Sequence, residues 1–422
     1  MGRTHTRLVG LLAVPLMFAA ACGGGDGANT ADPGTDAATG GATEAMTDEA
    51  TEGATEGATE AEASGEPITV GIVTATSGLL SGYGEQYLAG LEAGLDYATD
   101  GTGAVDGQPI DFEIVDGAGD PEQAITAATG LVGEGVNIIA GTASSGVAIQ
   151  MAPFAEQNDI LYISGPAASD AITGINDNTF RSGRQTYQDV ATAASLLEDV
   201  SGDVLVFAQD SEFGAGNVAA VEAVLGGQGA TVSEILVPLT ANEFTPFAQQ
   251  VIDAAPDLLF VAWAGDTTPG MWQALQQQGV FDATTVTTGL GDVASYSAYG
   301  QDPSGIEFLS HYFPGAADNE VHAAMVEGVE QSDLFVPDGF VAAQMIVQAV
   351  SEGDPTDTAS MITALEGWTF DAPKGEQTIR AEDHAMLQPM FTASLTAEGG
   401  EFTAELLDTL APDVTAPPVA TE

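Results

Sequence analysis

Short apolar runs alternate with helical patterns from Pro67 to about Pro412. Ile68-Thr69-Val70-Gly71-Ile72-Val73 reads as a buried strand. After a Gly/Ser loop, Leu88, Leu91 and Leu95 share one face of a helix predicted over Gln86 to Tyr97. Ile110 to Val115 is the next strand, and Asp120-Pro121 opens a helix with Asp as cap and Pro at the first helical position. Val136 to Ile139 and Ile160 to Ile163 continue the alternation. A second series starts at Asp203 to Phe207, with later strands at Val232 to Val237, Leu258 to Ala262 and Thr284 to Thr288. Strands alternating with helices of roughly ten to fifteen residues predict parallel sheets covered by helices. Two such series, in a body too long for most single cores, predict two similar α/β lobes.

Ahead of this body the pattern changes. Arg3 and Arg7 precede an apolar run from Leu8 to Phe18, and Ala19-Ala20-Ala21 lead into Cys22-Gly23. That is the layout of a secretory signal. The run is too short to cross a bilayer, which takes ~20 apolar residues. Small residues before the chain's lone cysteine resemble a bacterial lipoprotein signal, although Ala19 stands where such motifs carry Leu. The resemblance implies cleavage after residue 21 and a lipid on Cys22; a plain cleaved signal with an incidental cysteine is the competing reading. From Gly23 to Glu66 the chain is mostly Gly, Ala, Thr and acid, with Thr-Glu-Gly-Ala repeated from Thr51 to Ala58. Without aromatic residues or a periodic apolar face it cannot offset the entropy of ordering. Residues 22–66 are therefore expected to form a lipidated, disordered acidic stalk, and 411–422 a flexible tail. With one cysteine, no internal disulfide can form.

Charge narrows the function. The chain has 6 basic residues against 62 acids, a formal net charge of −56. Beyond the stalk the only cations are Arg181, Arg184, Lys374 and Arg380. Nucleic-acid binding needs a basic footprint, which is missing, and adhesion to anionic headgroups is equally disfavoured. The acid excess resembles secreted proteins of salty habitats, where ions screen self-repulsion. Enzyme signatures are also missing: no Gly-x-Ser-x-Gly elbow, no zinc helix, no Walker loop and no dinucleotide fingerprint. His311, His322 and His384 are not at metal-ligand spacing. No cofactor or metal is expected, and catalysis is set aside.

Ligands of open α/β sheets bind outside the carboxyl ends of the strands. The loops there are rich in Gly, Ser and aromatic residues: Thr76 to Gly84, Gly141 to Gly146, and Ser164 to Ser169. They offer hydroxyls and backbone N–H groups at helix N-termini, which hold small anions such as carboxylates. Ser144-Ser145 reads as a helix cap and as an anion site, two roles that are compatible.

An ordered set of motifs accompanies these loops: Ser81-Gly82-Tyr83-Gly84, Asp116 to Pro121, Gly141 to Gly146, Phe180-Arg181-Ser182-Gly183, Phe213-Gly214 and Pro269 to Leu275. In this order, from about Ile68 to Leu395, the chain resembles the type I periplasmic binding proteins of the leucine/isoleucine/valine-binding branch, solute receptors of ABC importers. The resemblance implies an α/β fold of two Rossmann-like lobes with parallel sheets, joined by three crossover segments and closing by a hinge. Lobe 1 would be 67–184 plus 316–385, and lobe 2 188–312 plus 386–410.

The resemblance also implies a site. Ser145, with Ser144 beside it, matches the serine that takes an amino acid's α-carboxylate. Ala167-Ala168 matches a loop offering backbone groups and a threonine hydroxyl; Ala168 stands at the threonine, so either Ser169 substitutes or the contact is lost. Tyr83 matches an aromatic of the side-chain pocket, and Phe213 stands for a tyrosine, keeping its ring. Gln185 stands where the family can carry an acid at the lobe junction. Asp266-Thr267-Thr268 replaces a pair of tyrosines. Gly291 falls on the acid that holds the α-ammonium, leaving Asp292 and Asp266 as candidate partners. The family's disulfide positions are Gly119 and Ser144. Arg184, beside the hinge, is either a bidentate clamp for a carboxylate or, the favoured reading, a partner for one of the many acids. Trp263 either reshapes the pocket or belongs to the core. Arg181 is read as structural, and Lys374 and Arg380 as balancing acids of lobe 1.

The expectation is a monomeric, extracytoplasmic receptor, tethered by lipid. It would pass a small amphipathic solute, first a branched-chain or other apolar amino acid, to ABC permease subunits. Import of urea, short amides or aromatic acids, and a sensing lipoprotein, are the alternatives.

Overall fold

The structure, a computed structural model, describes residues 65–197 and 201–420. The expected signal peptide, Cys22 and the stalk up to residue 64 lie outside the described residues.

Lobe 1 opens with β1 (Ile68–Thr74), α1 (Ser81–Ala98), β2 (Ala104–Val105), β3 (Gln108–Asp116), α2 (Pro121–Gly133), β4 (Ile138–Gly141), α3 (Ser145–Asn158), β5 (Leu161–Ser164) and β6 (Thr179–Arg181). Its sheet runs β2-β3-β1-β4-β5-β6, parallel except at the short β2. The central strands are buried on both faces, which is why they read as continuous apolar runs and not as alternating ones. Asp120 caps α2 by accepting from the Gln123 N–H at 2.9 Å, as its position before Pro121 predicts.

Lobe 2 comprises α4 (Thr186–Ala194), β7 (Asp203–Asp210), α5 (Glu212–Val224), β8 (Thr231–Pro238), α6 (Thr245–Ala254), β9 (Leu258–Ala262), α7 (Thr268–Gln277), α8 (Val280–Ala283), β10 (Thr285–Gly289) and β11 (Ile306–Ser310). The chain then returns to lobe 1 with α9 (Glu320–Gly328), α10 (Val336–Glu352), α11 (Thr358–Leu365), β12 (Thr369–Ala372), β13 (Gly375–Ile379) and β14 (Met386–Leu387). It ends in lobe 2 with β15 (Met390–Glu398) and β16 (Glu401–Leu410). The second sheet runs β16-β15-β11-β10-β9-β7-β8, parallel from β11 to β8 and antiparallel at β15 and β16. Three connections cross between the lobes: β6 to α4, β11 to α9 and β14 to β15. The two-lobed α/β expectation is what the structure displays.

Helix α10 packs on α1 across a glycine notch: a Cβ on Gly90 would lie 1.9 Å from the Val336 carbonyl oxygen. Helix α1 begins at Ser81, not at Gln86. The Ser-Gly-Tyr-Gly stretch that reads as loop is its first turn. A Cβ on Gly84 would meet the Ala75 carbonyl oxygen at 1.9 Å, so close approach, not flexibility, accounts for this glycine.

The cations are internal. Lys374 pairs with Asp338 at 3.4 Å and Arg380 with Asp383 at 2.6 Å, in keeping with their reading as charge balance. Arg181 is 1% exposed and donates to the carbonyls of Ala167, Ser169, Gly183 and Arg184. Residues 411–420, expected to be a free tail, are held instead: Arg380 Nη1 donates to the Pro417 carbonyl at 2.8 Å, and the Ala420 N–H to Asp383 at 2.9 Å.

Candidate functional site

The carboxyl ends of both sheets face a cavity of about 830 Å³. From lobe 1 it is lined by Tyr83, Asp120, Ser144, Ser145, Gly146 and Ala168, and from lobe 2 by Asp210 to Phe213 and Trp263, with Arg184 at the junction. The lobes touch over it. The Gly265 N–H donates to Tyr83 Oη at 3.2 Å, and the Asp266 N–H to the Leu79 carbonyl at 3.3 Å. Nearer the hinge the Val293 N–H donates to both carboxylate oxygens of Asp333 at 3.2 Å. The molecule is therefore closed. A separate cavity of about 420 Å³ lies at the opposite, amino-terminal edge of β1 and β4, among Glu66, Glu113 and Glu134, away from these loops.

Two helix N-termini point into the cleft. Ser144 caps α3, accepting from the Val147 N–H at 3.4 Å while its own hydroxyl donates to the Gly119 carbonyl at 3.2 Å. Ser211 caps α5 by accepting from the Gly214 N–H at 3.2 Å. Their partial positive ends favour an anionic solute between them. Ser145 is buried and accepts from the Ser169 N–H at 3.2 Å, which leaves its own proton to donate into the cleft. Burial pushes Tyr83 up to about 12, against the opposing Gly265 hydrogen bond, so its phenol stays neutral and can donate. Its ring meets Phe335 edge-on at 4.7 Å.

Four lobe-1 and junction expectations separate here. Ala168 lines the cleft. Ala167 does not: its N–H is spent on the Thr142 carbonyl and its carbonyl on Arg181. Ser169 caps a short turn by accepting from the Ala171 N–H at 3.3 Å and also lies outside the lining, so it does not replace the missing threonine. Gln185 is buried in a network, accepting from Thr173 at 2.9 Å and donating to Asp170 at 2.7 Å, and it too misses the cavity. Arg181 is the organising group. It draws the 167–169 and 183–184 backbone around itself, which consumes polar groups that the sequence offers to a ligand.

On lobe 2, Phe213 and Trp263 line the cleft. Trp263 stacks on Phe207 with centroids 5.5 Å apart and donates through Nε1 to Thr267 at 3.0 Å, so it serves core and pocket together. Asp266 is exposed on the outer rim. Asp292 caps the following turn, accepting from the Ser295 N–H at 3.1 Å. Neither acid lines the cavity.

Beside the cleft, and sharing Arg184, Phe213 and Trp263 with it, lies an inner chamber of about 70 Å³, whose walls include Asp189, Gly291 and His311. Arg184 pairs with Asp189 at 3.2 Å, donates to the Pro166 carbonyl at 2.7 Å and lies over the Phe335 ring. The favoured structural reading of Arg184 thus has its acid partner, while the same guanidinium lines both cavities. Burial raises Asp189 above the usual carboxylate range, opposed chiefly by Arg184. His311 is held well below its ordinary value by burial and then by Arg184 and Lys374, so its ring is neutral. Asp189 and His311 line this chamber and were not singled out by the sequence reading. The available signals were an acid five residues after the odd arginine and a histidine directly after the end of β11. Among the described residues no group of three or more His, Cys, Asp or Glu is arranged to hold a metal.

Comparison with known proteins agrees with this geometry. A family model described as periplasmic binding protein matches residues 67–401. The Leu/Ile/Val-binding protein BraC3 of Rhizobium johnstonii is 23% identical over 309 residues, 71% of this chain and 83% of its own length. The Leu/Ile/Val-binding protein homolog 6 of Brucella melitensis is 25% identical, over 78% of this chain and 87% of its own. The crystal structure of an ABC-type branched-chain amino acid transporter from Rhodopseudomonas palustris superposes with a TM-score of 0.69 at 30% identity, covering 84% of this chain and 100% of that one. A solute-binding protein from R. palustris in complex with 4-hydroxybenzoate gives a TM-score of 0.75 at 21% identity, over 82% of this chain and 97% of its own, a likeness of fold.

Proposed function

The chain belongs to the periplasmic binding protein family, and we propose that it is the extracytoplasmic solute receptor of an ABC importer, taking a small amphipathic carboxylate. The observation that carries this reading is the closed cleft of about 830 Å³ between the two sheets. In it the N-terminus of α3 and the Ser145 hydroxyl meet the rings of Tyr83, Phe213 and Trp263. The helix end and hydroxyl would take the carboxylate while the rings cover the apolar part. A branched-chain or other apolar amino acid is the first candidate, as the names of the sequence relatives suggest. An aromatic acid is the second, favoured by the aromatic lining and by the benzoate-type ligands of some structural neighbours.

Binding would begin on lobe 1, and the Tyr83 and Asp333 contacts with lobe 2 would hold the closed form. Solute that binds the closed form better shifts the population toward it, and that form would dock on the permease. The role is capture, without catalysis. Delivery fits a monomer tethered through Cys22 and the acidic stalk. No described helix is long and apolar enough to cross a membrane.

A thermal-shift panel of amino acids, short amides, urea and aromatic acids tests the reading. A true solute at a hundred times its Kd adds ~2.7 kcal/mol of stability. A panel without any shift contradicts it. Permease and ATPase genes beside this one would support import over sensing.

A further inference from the structure

We propose that the inner chamber behind Arg184 receives an N–H donor head group of the solute, an ammonium or amide, with Asp189 Oδ1 and His311 Nε2 as its acceptors. This rests on the reading of the cleft as the solute site and names the chemistry that site selects.

The chamber holds about 70 Å³ and shares Arg184, Phe213 and Trp263 with the wall of the cleft. It is about a twelfth of the cleft's volume, which suits a head group better than the body of a solute. Asp189 is 6% exposed and His311 4%, and neither Asp189 Oδ1 nor His311 Nε2 has a hydrogen-bond partner among the described residues. Buried polar atoms are nearly always paired, so these two open acceptors, with the Arg184 Nε donor also without a hydrogen bond on the same wall, point to an occupant.

The character of both atoms is fixed by what lies behind them. The other Asp189 oxygen is held by Arg184, which leaves Oδ1 as an acceptor. The His311 ring hydrogen-bonds the Leu334 backbone. With one ring nitrogen donating there, the neutral imidazole presents Nε2 as an acceptor. Two acceptors need a donor. Asp120, Asp210 and Glu212 also line the cleft, but they are exposed and hydrated. Asp189 is the acid held away from water, where pairing discriminates most.

Arg184 sets the order of charges, standing on the wall that both cavities share, with Asp189 on the chamber side alone. A solute with a carboxylate in the cleft and a nitrogen in the chamber places each group against its opposite. A plain aromatic or aliphatic monocarboxylate leaves both acceptors unpaired, and sites built this way reject the analogue that lacks the donor.

The test is titration calorimetry on the full secreted chain with matched pairs: leucine against 4-methylpentanoate, and phenylalanine against 3-phenylpropanoate. We expect the amino member of at least one pair to bind a hundredfold or more tighter than its deaminated twin. Asp189→Asn should cut that ratio at least tenfold. Because this change also loosens Arg184, His311→Leu serves as the second variant and should cut the ratio severalfold in a chain whose unfolding remains cooperative. Deaminated acids or benzoates that bind as tightly as amino acids overturn the inference and leave the receptor reading standing. A ratio unchanged in both folded variants overturns it too. If no amino acid, amide or acid binds at all, the receptor reading falls with it.

Discussion

The two walls of the cleft are built from different materials. Apart from the exposed Asp120, the lobe-1 wall is neutral and polar: the Ser144 cap, the Ser145 hydroxyl, the Gly146 backbone and the Tyr83 phenol, all on the rigid first turns of α3 and α1. Behind the exposed rim acids Asp210 and Glu212, the wall formed by lobe 2 and the hinge is apolar rings around a buried charge pair: Phe213, Trp263, Arg184 and Asp189. On the proposed reading the first would orient a carboxylate through dipoles already fixed by the helices, and so tolerate many solutes. The second takes desolvated charges that reward one arrangement and penalise others. On the proposed reading, capture and discrimination fall to opposite sides.

The largest break in this comparison comes from the charge pair. Asp189→Ala leaves the Arg184 guanidinium buried without its carboxylate, and removing one partner of such a pair costs about 3–5 kcal/mol. Urea unfolding should show that loss, and a loss under about 1 kcal/mol would mean Arg184 is already satisfied elsewhere.

A second effect appears as pH dependence. Asp333 bridges the lobes through Val293 and is 5% exposed, and burial pushes its carboxyl up to about 6. The folded state therefore binds this proton more tightly than the unfolded state does. That stabilisation is complete below about pH 4 and is lost as pH rises through 6. Asp333→Asn has no such titration, so between pH 4 and 7 the wild type should lose about 2–3 kcal/mol relative to the variant. Parallel stability curves would contradict this.

On the neutral wall the effects are smaller. Ser145→Ala should weaken a carboxylate solute by about 1.5–3 kcal/mol, the range for hydrogen bonds to charge, and cost about 1–3 kcal/mol of stability because the buried Ser169 N–H loses its acceptor. Calorimetry with unchanged affinity would remove Ser145 from the site. Tyr83→Phe keeps the ring and loses the Gly265 contact, so affinity should fall by about 0.5–1.5 kcal/mol through the closed form alone.

Legibility divides along the same line. Ser144 and Ser145 were readable because a cap following a buried strand is a local pattern, whereas Tyr83 entered only through the family resemblance, its stretch reading as loop. The two lobes followed from period alone. Ala167, Ser169 and Gln185 misled because Arg181 and Asp170 draw on them across the fold, and such long-range pairing leaves no local trace. Asp266 and Asp292 sit near the expected place in sequence, yet one faces solvent and the other caps a turn. Asp189 was hidden as an ordinary acid in a chain with 62 of them, and only its burial makes it distinctive.

The most direct measurement is a crystal structure of the chain with the solute that the thermal panel identifies. The account predicts the carboxylate at the N-terminus of α3 within hydrogen-bond reach of Ser145, the apolar part against Trp263 and Phe213, and a nitrogen facing Asp189. Solute bound outside the cleft, or a cleft filled by neighbouring side chains, would contradict it.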